Sequence, residues 1–452
     1  MSPAQKSNQA ETPLSPALWN CHFFQFFNAI CFQVILGAPI VLYAKSLNAT
    51  STQLGILASF APLLVILQLP TAHFLHHFSY RKFVASGWGI RSIFIFAIAI
   101  IPLLDFLNPF QKLLAVMLSS LGFSIVRGIS TTAFMPWTTE IVPAARRGKF
   151  LSRDVLFIHL GSLISLLSVA FILSHSMNGL EYSVIFIISA VAGVVCLFFI
   201  LRIPDAIPGE AHRRSSQSVP WKEIINYPPF RILLIFNLSY ALVIGSLGIF
   251  SIEYLREVPK FSPSSIILLS SFTFLGALVS LPLTANIVDR IGSKPVLRVS
   301  ILLLACVIIG WFSIATQLLP PSPFIIGTLI FCSGISGANF QVANSKIIMA
   351  TMPELGRNHF FALFMVFSGL GIGTSPILWG VLLDTLENYE LQVGVLTFKR
   401  HGFYFCGVFL VALVAQYLVK YLHEAKSTTK LSREAMTIYG NLKRLGRIGI
   451  GR

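Results

Sequence analysis

Twelve apolar runs, each about the length that a helix needs to cross a lipid bilayer, divide this chain from end to end. The runs are at residues 19–43, 53–75, 83–104, 113–136, 155–174, 182–201, 230–252, 264–287, 296–318, 323–348, 359–383 and 401–422. Only 11% of the 452 residues are charged, against about 25% in soluble domains. Because open strands cannot satisfy their backbone hydrogen bonds in lipid, the runs predict an all-α integral membrane protein with twelve transmembrane helices.

The distribution of lysine and arginine predicts the orientation of these helices. The net charge of +16 could indicate binding to nucleic acid, but the basic residues lie in the gaps between apolar runs and form no single patch. With the N-terminus in the cytoplasm, 25 of the 33 lysines and arginines lie on the cytoplasmic side and six on the outer side. We therefore expect a multi-pass protein of the cell membrane (plasma or inner) with both termini cytoplasmic, contacts to membrane lipids and no nucleic-acid partner.

The longest gap on the predicted cytoplasmic side divides the runs six and six. Residues 202–229 contain Pro204, Pro208 and a serine-rich stretch, a composition typical of a linker. The predicted organisation is a cytoplasmic N-terminal segment at 1–18, six-helix bundles at 19–201 and 230–422, the linker between them and a basic cytoplasmic tail at 423–452. The tail has two open interpretations, a helix lying on the inner membrane surface or a solvated segment.

An internal repeat relates the two predicted bundles. Three residues after the fourth run recur 210 residues later, after the tenth: Pro143, Arg147 and Phe150 match Pro353, Arg357 and Phe360. A shared spacing beside matching hydropathy indicates two related halves, and paired bundles of this kind are typical of membrane transporters.

The loop after the eighth run carries a motif that points to a family. Residues 285–294 read Ala-Asn-Ile-Val-Asp-Arg-Ile-Gly-Ser-Lys. This resembles the loop signature Gly-x-x-x-Asp-Arg-x-Gly-Arg/Lys of the major facilitator superfamily (MFS), with Ala285 in place of the first glycine. Together with the twelve runs and their six-plus-six division, the resemblance covers essentially the whole chain. It implies two six-helix bundles that move a small-molecule substrate by alternating access, and we expect the chain to act as a monomer.

The equivalent loop of the first half departs from this motif. His76 and His77 stand where the family has Asp-Arg, and Arg81 keeps the basic end. In the family these charges hold the halves together on the cytoplasmic side, so the first-half contact is expected to be weakened or pH-dependent. The candidate residues of this cytoplasmic gate are Asp289, Arg290, Lys294, His76, His77, Arg81, Glu140, Arg147, Glu354 and Arg357. For Arg147 and Arg357, anchoring at the inner membrane surface is an equal alternative to a role in the gate.

Two arginines lie deep inside apolar runs, well away from either end, where ionisable side chains are costly and mark functional sites. Arg127 and Arg91 are about nine and eight residues from the cytoplasmic ends of their runs, so both lie at a similar depth. Buried guanidinium groups need anions. For both arginines the sequence offers Asp154 or Glu140 as a structural ion-pair partner, and the alternative is a carboxylate or phosphate of the substrate.

Polar side chains elsewhere in the runs complete a candidate substrate site. The candidates are Arg127, Arg91, His22, Gln25, Asn28, Asn237, Tyr240, Gln341, Asn344 and His159. His22, Gln25 and Asn28 are spaced by three and form one polar stripe on the first helix. Each of these polar groups has an alternative role in hydrogen bonds between helices, and His159 is either a proton-coupling residue or a core histidine.

The sequence gives little support to other classes of function. It contains no His-Glu-x-x-His, no Gly-x-Ser-x-Gly and no phosphate-binding glycine loop with lysine, so we expect no enzyme. We also expect no cofactor and no metal site. Two hypotheses remain: a secondary active or facilitative transporter of a small solute, with an organic anion as a candidate, or a transporter-like sensor or scaffold that does not move solute.

Overall fold

The computed structural model describes residues 16–142, 147–175, 180–205, 226–351, 357–394 and 396–423. Within them, twelve helical stretches are long and apolar enough to cross a membrane, which confirms the predicted number. We number them spans 1 to 12, and they are Ala17–Ser46, Ser51–Thr71, Tyr80–Leu103, Pro109–Thr138, Phe150–Ser174, Glu181–Ile200, Pro228–Glu257, Pro263–Thr284, Ser293–Ala315, Pro323–Thr351, Leu363–Thr385 and Arg400–Tyr421.

The spans consist of α-helices with short 3-10 turns at their breaks and ends. The α-helices are Pro16–Ile35, Ala38–Ser46, Ser51–Leu63, Gln68–Phe74, Tyr80–Ile100, Pro109–Ser130, Phe134–Ile141, Arg147–Ser174, Glu181–Ile200, Pro228–Glu257, Pro263–Ile291, Ser293–Ala315, Pro323–Thr351, Arg357–Thr385 and Arg400–Leu418. The 3-10 turns are Leu64–Leu67, Leu75–His77, Ile101–Leu103, Thr131–Ala133 and Val419–Tyr421. An antiparallel hairpin that the sequence did not predict, Leu391–Val393 with Leu396–Phe398, connects spans 11 and 12.

Proline has two different effects in these spans. Pro62, Pro282 and Pro376 lie inside helices, which membrane helices tolerate because neighbouring groups satisfy the freed backbone carbonyls. The run around Pro39 is not one continuous helix, because the first helix ends at Ile35 and, after a break of two residues, a second begins at Ala38. Pro39 lies in the first turn of that second helix, where its missing N–H costs nothing because first-turn amides have no intrahelical acceptor.

An even number of crossings places the start of span 1 and the end of span 12 on one side of the membrane. We call this side the terminal face and the opposite side the distal face. Spans 2, 4 and 8 begin at the distal face with side-chain caps, in which Thr50, Asn108 and Ser262 accept the backbone N–H of the third residue of the helix. Such caps satisfy amides that would otherwise lack acceptors, and they fix where each span begins.

The repeat predicted from the sequence corresponds to equivalent packing in the two halves. Helices begin at Arg147 and at Arg357, at the predicted offset. The ring of Phe150 lies 4.7 Å from His22 of span 1, and the ring of Phe360 lies 5.0 Å from Phe230 of span 7. Each repeated phenylalanine therefore packs against the first helix of its own half.

Spans 2 and 11 join the two halves through close backbone contacts. A Cβ atom added to Gly380 would lie 2.6 Å from the carbonyl oxygen of Ser51, and one added to Gly369 would lie 2.7 Å from that of Pro62. Both distances are too short for any larger residue unless the helices move apart. Small residues allow this kind of approach between membrane helices, and span 11 contains four glycines, Gly369, Gly371, Gly373 and Gly380.

The close contact at Gly380 gives a direct prediction. We expect Gly380→Ala to lower the free energy of unfolding by about 1–3 kcal/mol, the usual cost of overpacking. Gly248→Ala is the matched control, because a Cβ atom at Gly248 of span 7 would meet nothing within 4 Å. Thermal unfolding of the two purified variants in detergent measures the difference. An equal unfolding temperature for both would contradict the close packing of spans 2 and 11.

Candidate substrate site

A cavity of about 520 Å³ lies between the two halves, with walls from spans 1, 5 and 8. Span 1 contributes Gln25, Asn28, Phe32 and Gln33, and span 8 contributes Phe274. Its volume is within the range of about 300–1,000 Å³ that is usual for small-molecule sites. The sequence predicted Gln25 and Asn28 as site residues but missed Gln33, although a residue eight positions after Gln25 lies only about 80° away on the same helix.

Arg91 of span 3 is completely buried behind the wall of this cavity. Its Nη2 atom donates a hydrogen bond to Oδ1 of Asn28 at 2.6 Å. Its guanidinium carbon lies 4.0 Å from the ring centre of Trp88, 4.7 Å from that of Phe32 and 5.6 Å from that of Phe123. The Nε and Nη1 atoms have no hydrogen-bond partner among the described residues. Aromatic rings offset part of the cost of burying this charge, but they do not neutralise it.

Arg127 of span 4 borders the same aromatic ring. Its guanidinium carbon lies 5.1 Å from the ring centre of Phe32, and its Nη1 atom donates to the carbonyl oxygen of Ala61 in span 2 at 3.3 Å. Its Nε atom is buried and has no partner within the described part of the chain. Of the two acidic partners considered from the sequence, Asp154 binds His22 instead, and Glu140 is exposed. Two guanidinium groups therefore surround one ring of the cavity wall.

The two histidines among the candidates have different surroundings. His22 is fully buried, and its Nδ1 atom lies 2.5 Å from Oδ1 of Asp154 in span 5. This pair joins two helices of one half, so the predicted polar stripe of span 1 is divided between the cavity and a helix contact. His159 is half-buried, and its ring centre lies 5.8 Å from that of Phe274, where span 5 meets span 8 of the other half.

The candidates of the second half form a contact between spans 7 and 10. Asn344 donates through Nδ2 to Oδ1 of Asn237 at 2.7 Å, and Asn237 donates through its own Nδ2 to the carbonyl oxygen of Leu233 at 2.9 Å. Tyr240 stacks on Phe340 with a ring-centre distance of 3.4 Å. These three candidates are buried, and Gln341 is exposed. The structure thus gives the buried three a helix-packing role, and their contact with substrate stays a prediction.

Charged side chains outside the predicted site join the two halves at the distal face. Lys45 of span 1 forms ion pairs with Glu253, at 3.1 Å, and with Glu257 of span 7. Arg400 of span 12 pairs with the same two glutamates. The hydroxyl of Ser51 donates to Glu253 at 2.6 Å. The side chain of Glu253 is fully buried, so bulk solvent does not screen the ion pairs that its carboxylate forms between the halves.

A second contact at the distal face joins span 11 to the first turn of span 2. The carboxylate of Asp384 accepts the backbone N–H of Ser51 at 3.0 Å and that of Thr52 at 2.8 Å. A carboxylate at a helix N-terminus also interacts favourably with the helix dipole. We call the residues of both contacts the distal latch: Lys45, Ser51, Thr52, Glu253, Glu257, Asp384 and Arg400.

The predicted cytoplasmic gate lies at the terminal face and is only partly described. Arg81 contacts Asp205, through its backbone N–H at 3.1 Å and its Nε atom at 3.8 Å, so it joins the first half to the start of the predicted linker and not to the second half. Lys294 donates to the carbonyl oxygen of Lys420 at 3.4 Å, within the second half. His77, Arg290 and Glu140 are exposed. Glu354 and the side chains of His76, Arg147, Asp289 and Arg357 lie outside the described residues.

Comparison with known protein families gives one match, which covers nearly the whole chain. The sequence model described as Major Facilitator Superfamily matches residues 18–261 and 237–447. None of the curated proteins matches the sequence.

Comparison with solved structures finds the same architecture at low sequence identity. A mutant of the nucleoside transporter NupG has a TM-score of 0.68 and 14% identity, over 90% of this chain and 99% of its own. The inward-open xylose transporter XylE from E. coli has a TM-score of 0.65 and 14% identity, over 93% and 98%. An inward-facing bacterial homologue of the iron transporter ferroportin has a TM-score of 0.67 and 12% identity, over 95% and 100%. At these identities the likeness concerns the fold alone.

Proposed function

The chain belongs to the major facilitator superfamily, whose members move small solutes by alternating access, and from this premise we propose that its substrate is a small organic anion. The observation that carries the proposal is Arg91, a fully buried guanidinium that forms no ion pair with any described carboxylate. Burying a charge without a counter-ion costs several kcal/mol, and a bound anion is the simplest way to offset this cost for Arg91. Arg127 adds a second positive charge beside the same phenylalanine ring.

The same charges argue against cationic substrates. The residues that line the cavity are apolar or carry amide and hydroxyl groups, and none of them is acidic. Two positive charges behind such a wall repel a cation and attract an anion, most strongly where water is excluded. The apolar part of the wall, including Phe32 and Phe274, favours an organic anion over an inorganic one.

We further propose that the terminal face is cytoplasmic in a plasma or inner membrane and that a single chain is the transporting unit. The excess of lysine and arginine on that side supports the orientation. The predicted gate charges, which include Arg81, Arg290 and Lys294, would then act on the cytoplasmic side. We also propose the domain boundaries inferred from the sequence, with two six-helix bundles joined by a cytoplasmic linker at 202–229.

Thermal-shift binding with matched probes tests the charge preference. Benzoate, its neutral isostere benzamide and its cationic isostere benzamidinium differ chiefly in charge, and succinate extends the series to a dianion. We expect the anions to raise the unfolding temperature of the purified protein, because ligands stabilise the state that binds them. Stabilisation by benzamide or benzamidinium equal to that by benzoate would contradict an anion site.

Arg127→Gln is expected to remove this stabilisation and the uptake of the same anions into proteoliposomes. Loss of one of the two positive charges beside Phe32 of the cavity wall, where water is excluded, is expected to weaken anion binding by at least about tenfold. Arg153→Gln is the matched control, since Arg153 also lies near an aromatic ring, 5.2 Å from the ring centre of Trp19, but Trp19, unlike Phe32 beside Arg127, does not line the cavity. Anion binding by the wild type without any uptake would favour a sensor over a transporter.

A further inference from the structure

Asn28 is the polar connection between a buried arginine and the cavity. Its Oδ1 atom accepts a hydrogen bond from Nη2 of Arg91 at 2.6 Å and another from Nε1 of Trp88 at 3.3 Å. Guanidinium and indole N–H groups donate and never accept. The oxygen of the Asn28 amide must therefore face these two donors, which fixes the orientation of the amide.

This orientation determines what Asn28 offers to a ligand. The amide nitrogen is on the opposite branch from Oδ1, and Asn28 itself lines the cavity. The remaining polar atoms of the side chain are therefore the two N–H groups of Nδ2, which only donate. Because Oδ1 accepts a hydrogen bond from the positively charged guanidinium of Arg91, the amide of Asn28 is polarised and its N–H groups become stronger donors.

The repeat supplies an internal comparison. Asn237 stands 209 residues after Asn28, and each asparagine follows a phenylalanine. In the second half, however, Oδ1 of Asn237 accepts from Asn344 and Nδ2 donates to the carbonyl oxygen of Leu233. Both groups of Asn237 are used inside its own half. Of these two asparagines, Asn28 accepts a hydrogen bond from a buried arginine and also lines the cavity, and Asn237 does neither among the described residues.

We propose that Asn28 determines the specificity of the cavity for oxyanions, by donating through Nδ2 to the substrate and transmitting the charge of Arg91 to it. This inference rests on the proposed transport of an organic anion and names the group that recognises it. Arg91 does not line the cavity, so it acts on the substrate through Asn28 without touching it. The ligand chemistry is an oxyanion with acceptor oxygens in reach of one amide, which a carboxylate and a phosphate share.

Asn28→Asp separates this role from a structural one. The new carboxylate would accept from Arg91 and Trp88 as the amide does, but it would neutralise the arginine and remove both N–H donors. We expect the affinity of the full-length protein for benzoate, succinate and inorganic phosphate, measured by thermal shift, to fall by at least about tenfold. The unfolding temperature without ligand should stay equal or rise, because Arg91 gains a counter-ion. Asn20→Asp, the same change near the start of span 1, should leave binding unchanged.

The outcomes distinguish this inference from the proposed function. Failure of all three anions to bind the wild type would contradict anion transport itself. Anion binding to Asn28→Asp as tight as to the wild type would leave anion transport intact and overturn the role of Asn28. Should Asn28→Asp not fold, Asn28→Ala provides the same test, because it removes the amide donors without adding a charge. Comparing benzoate with phosphate separates carboxylate recognition from phosphate recognition.

Discussion

Replacing Arg91 by methionine is expected to abolish anion uptake and, at the same time, to raise the unfolding temperature of the ligand-free protein. A buried ion costs several kcal/mol when no counter-ion compensates it. The three rings around Arg91 return part of this cost, and methionine keeps contacts of similar size with aromatic rings. The variant should therefore gain stability while losing function, as is usual when a strained site is relieved.

The direction of the stability change decides between the two roles considered for Arg91. Removing one partner of a structural buried ion pair costs about 3–5 kcal/mol. A fall of that size in Arg91→Met would contradict the substrate role, and so would anion uptake at the wild-type rate. Uptake into proteoliposomes and calorimetry in detergent measure the two effects on the same preparation. Arg153→Gln serves again as the control, because its loss should change neither.

The sequence predicted those features that depend on local composition or on the repeat. Apolar runs of about 20 residues gave the twelve spans, because the thickness of the bilayer sets their length. The offset of 210 residues gave the equivalent positions of Phe150 and Phe360. Arg91 and Arg127 were identified because a charge inside an apolar run is conspicuous.

Features that depend on contacts between distant residues were missed. The distal latch joins Lys45 to Glu253, which are 208 residues apart, and Ser51 to Asp384, which are 333 apart. Each of these charges lies near the end of an apolar run, where it looks like an ordinary interfacial residue. The pairing of His22 with Asp154 was also missed, because these residues are 132 positions apart in the sequence. Glu253 and Glu257, four residues apart near the end of span 7, were the available signal, because two acids on one helix face need a cationic partner.

Lys45→Met is expected to open the distal face. The substitution removes both ion pairs that join span 1 to span 7 and leaves the buried carboxylate of Glu253 with Arg400 at 3.9 Å. Breaking a buried pair costs about 3–5 kcal/mol, and about 5.5 kcal/mol reverses a two-state population from 99:1 to 1:99. The energy lost with Lys45 is therefore large enough to turn a dominant distal-closed state into a minor one.

Asp384→Ala provides a weaker perturbation of the same face. It removes a helix cap worth about 1 kcal/mol and should shift the equilibrium between distal-closed and distal-open states only about fivefold.

Spin labels on the two sides of the distal face measure this opening. Phe106 and Leu319, which are 80% and 40% exposed, lie in distal loops of the first and second halves and accept cysteine labels once Cys306, Cys332 and Cys406 are serine. We expect the label-to-label distance to lengthen strongly in Lys45→Met and weakly in Asp384→Ala. Glu390→Gln is the control, because Glu390 pairs with Lys399 at 3.8 Å in an exposed contact within one half. Unchanged distances in folded Lys45→Met protein, or a larger effect from Asp384→Ala, would show that the ion pairs of Lys45 do not hold the distal face closed.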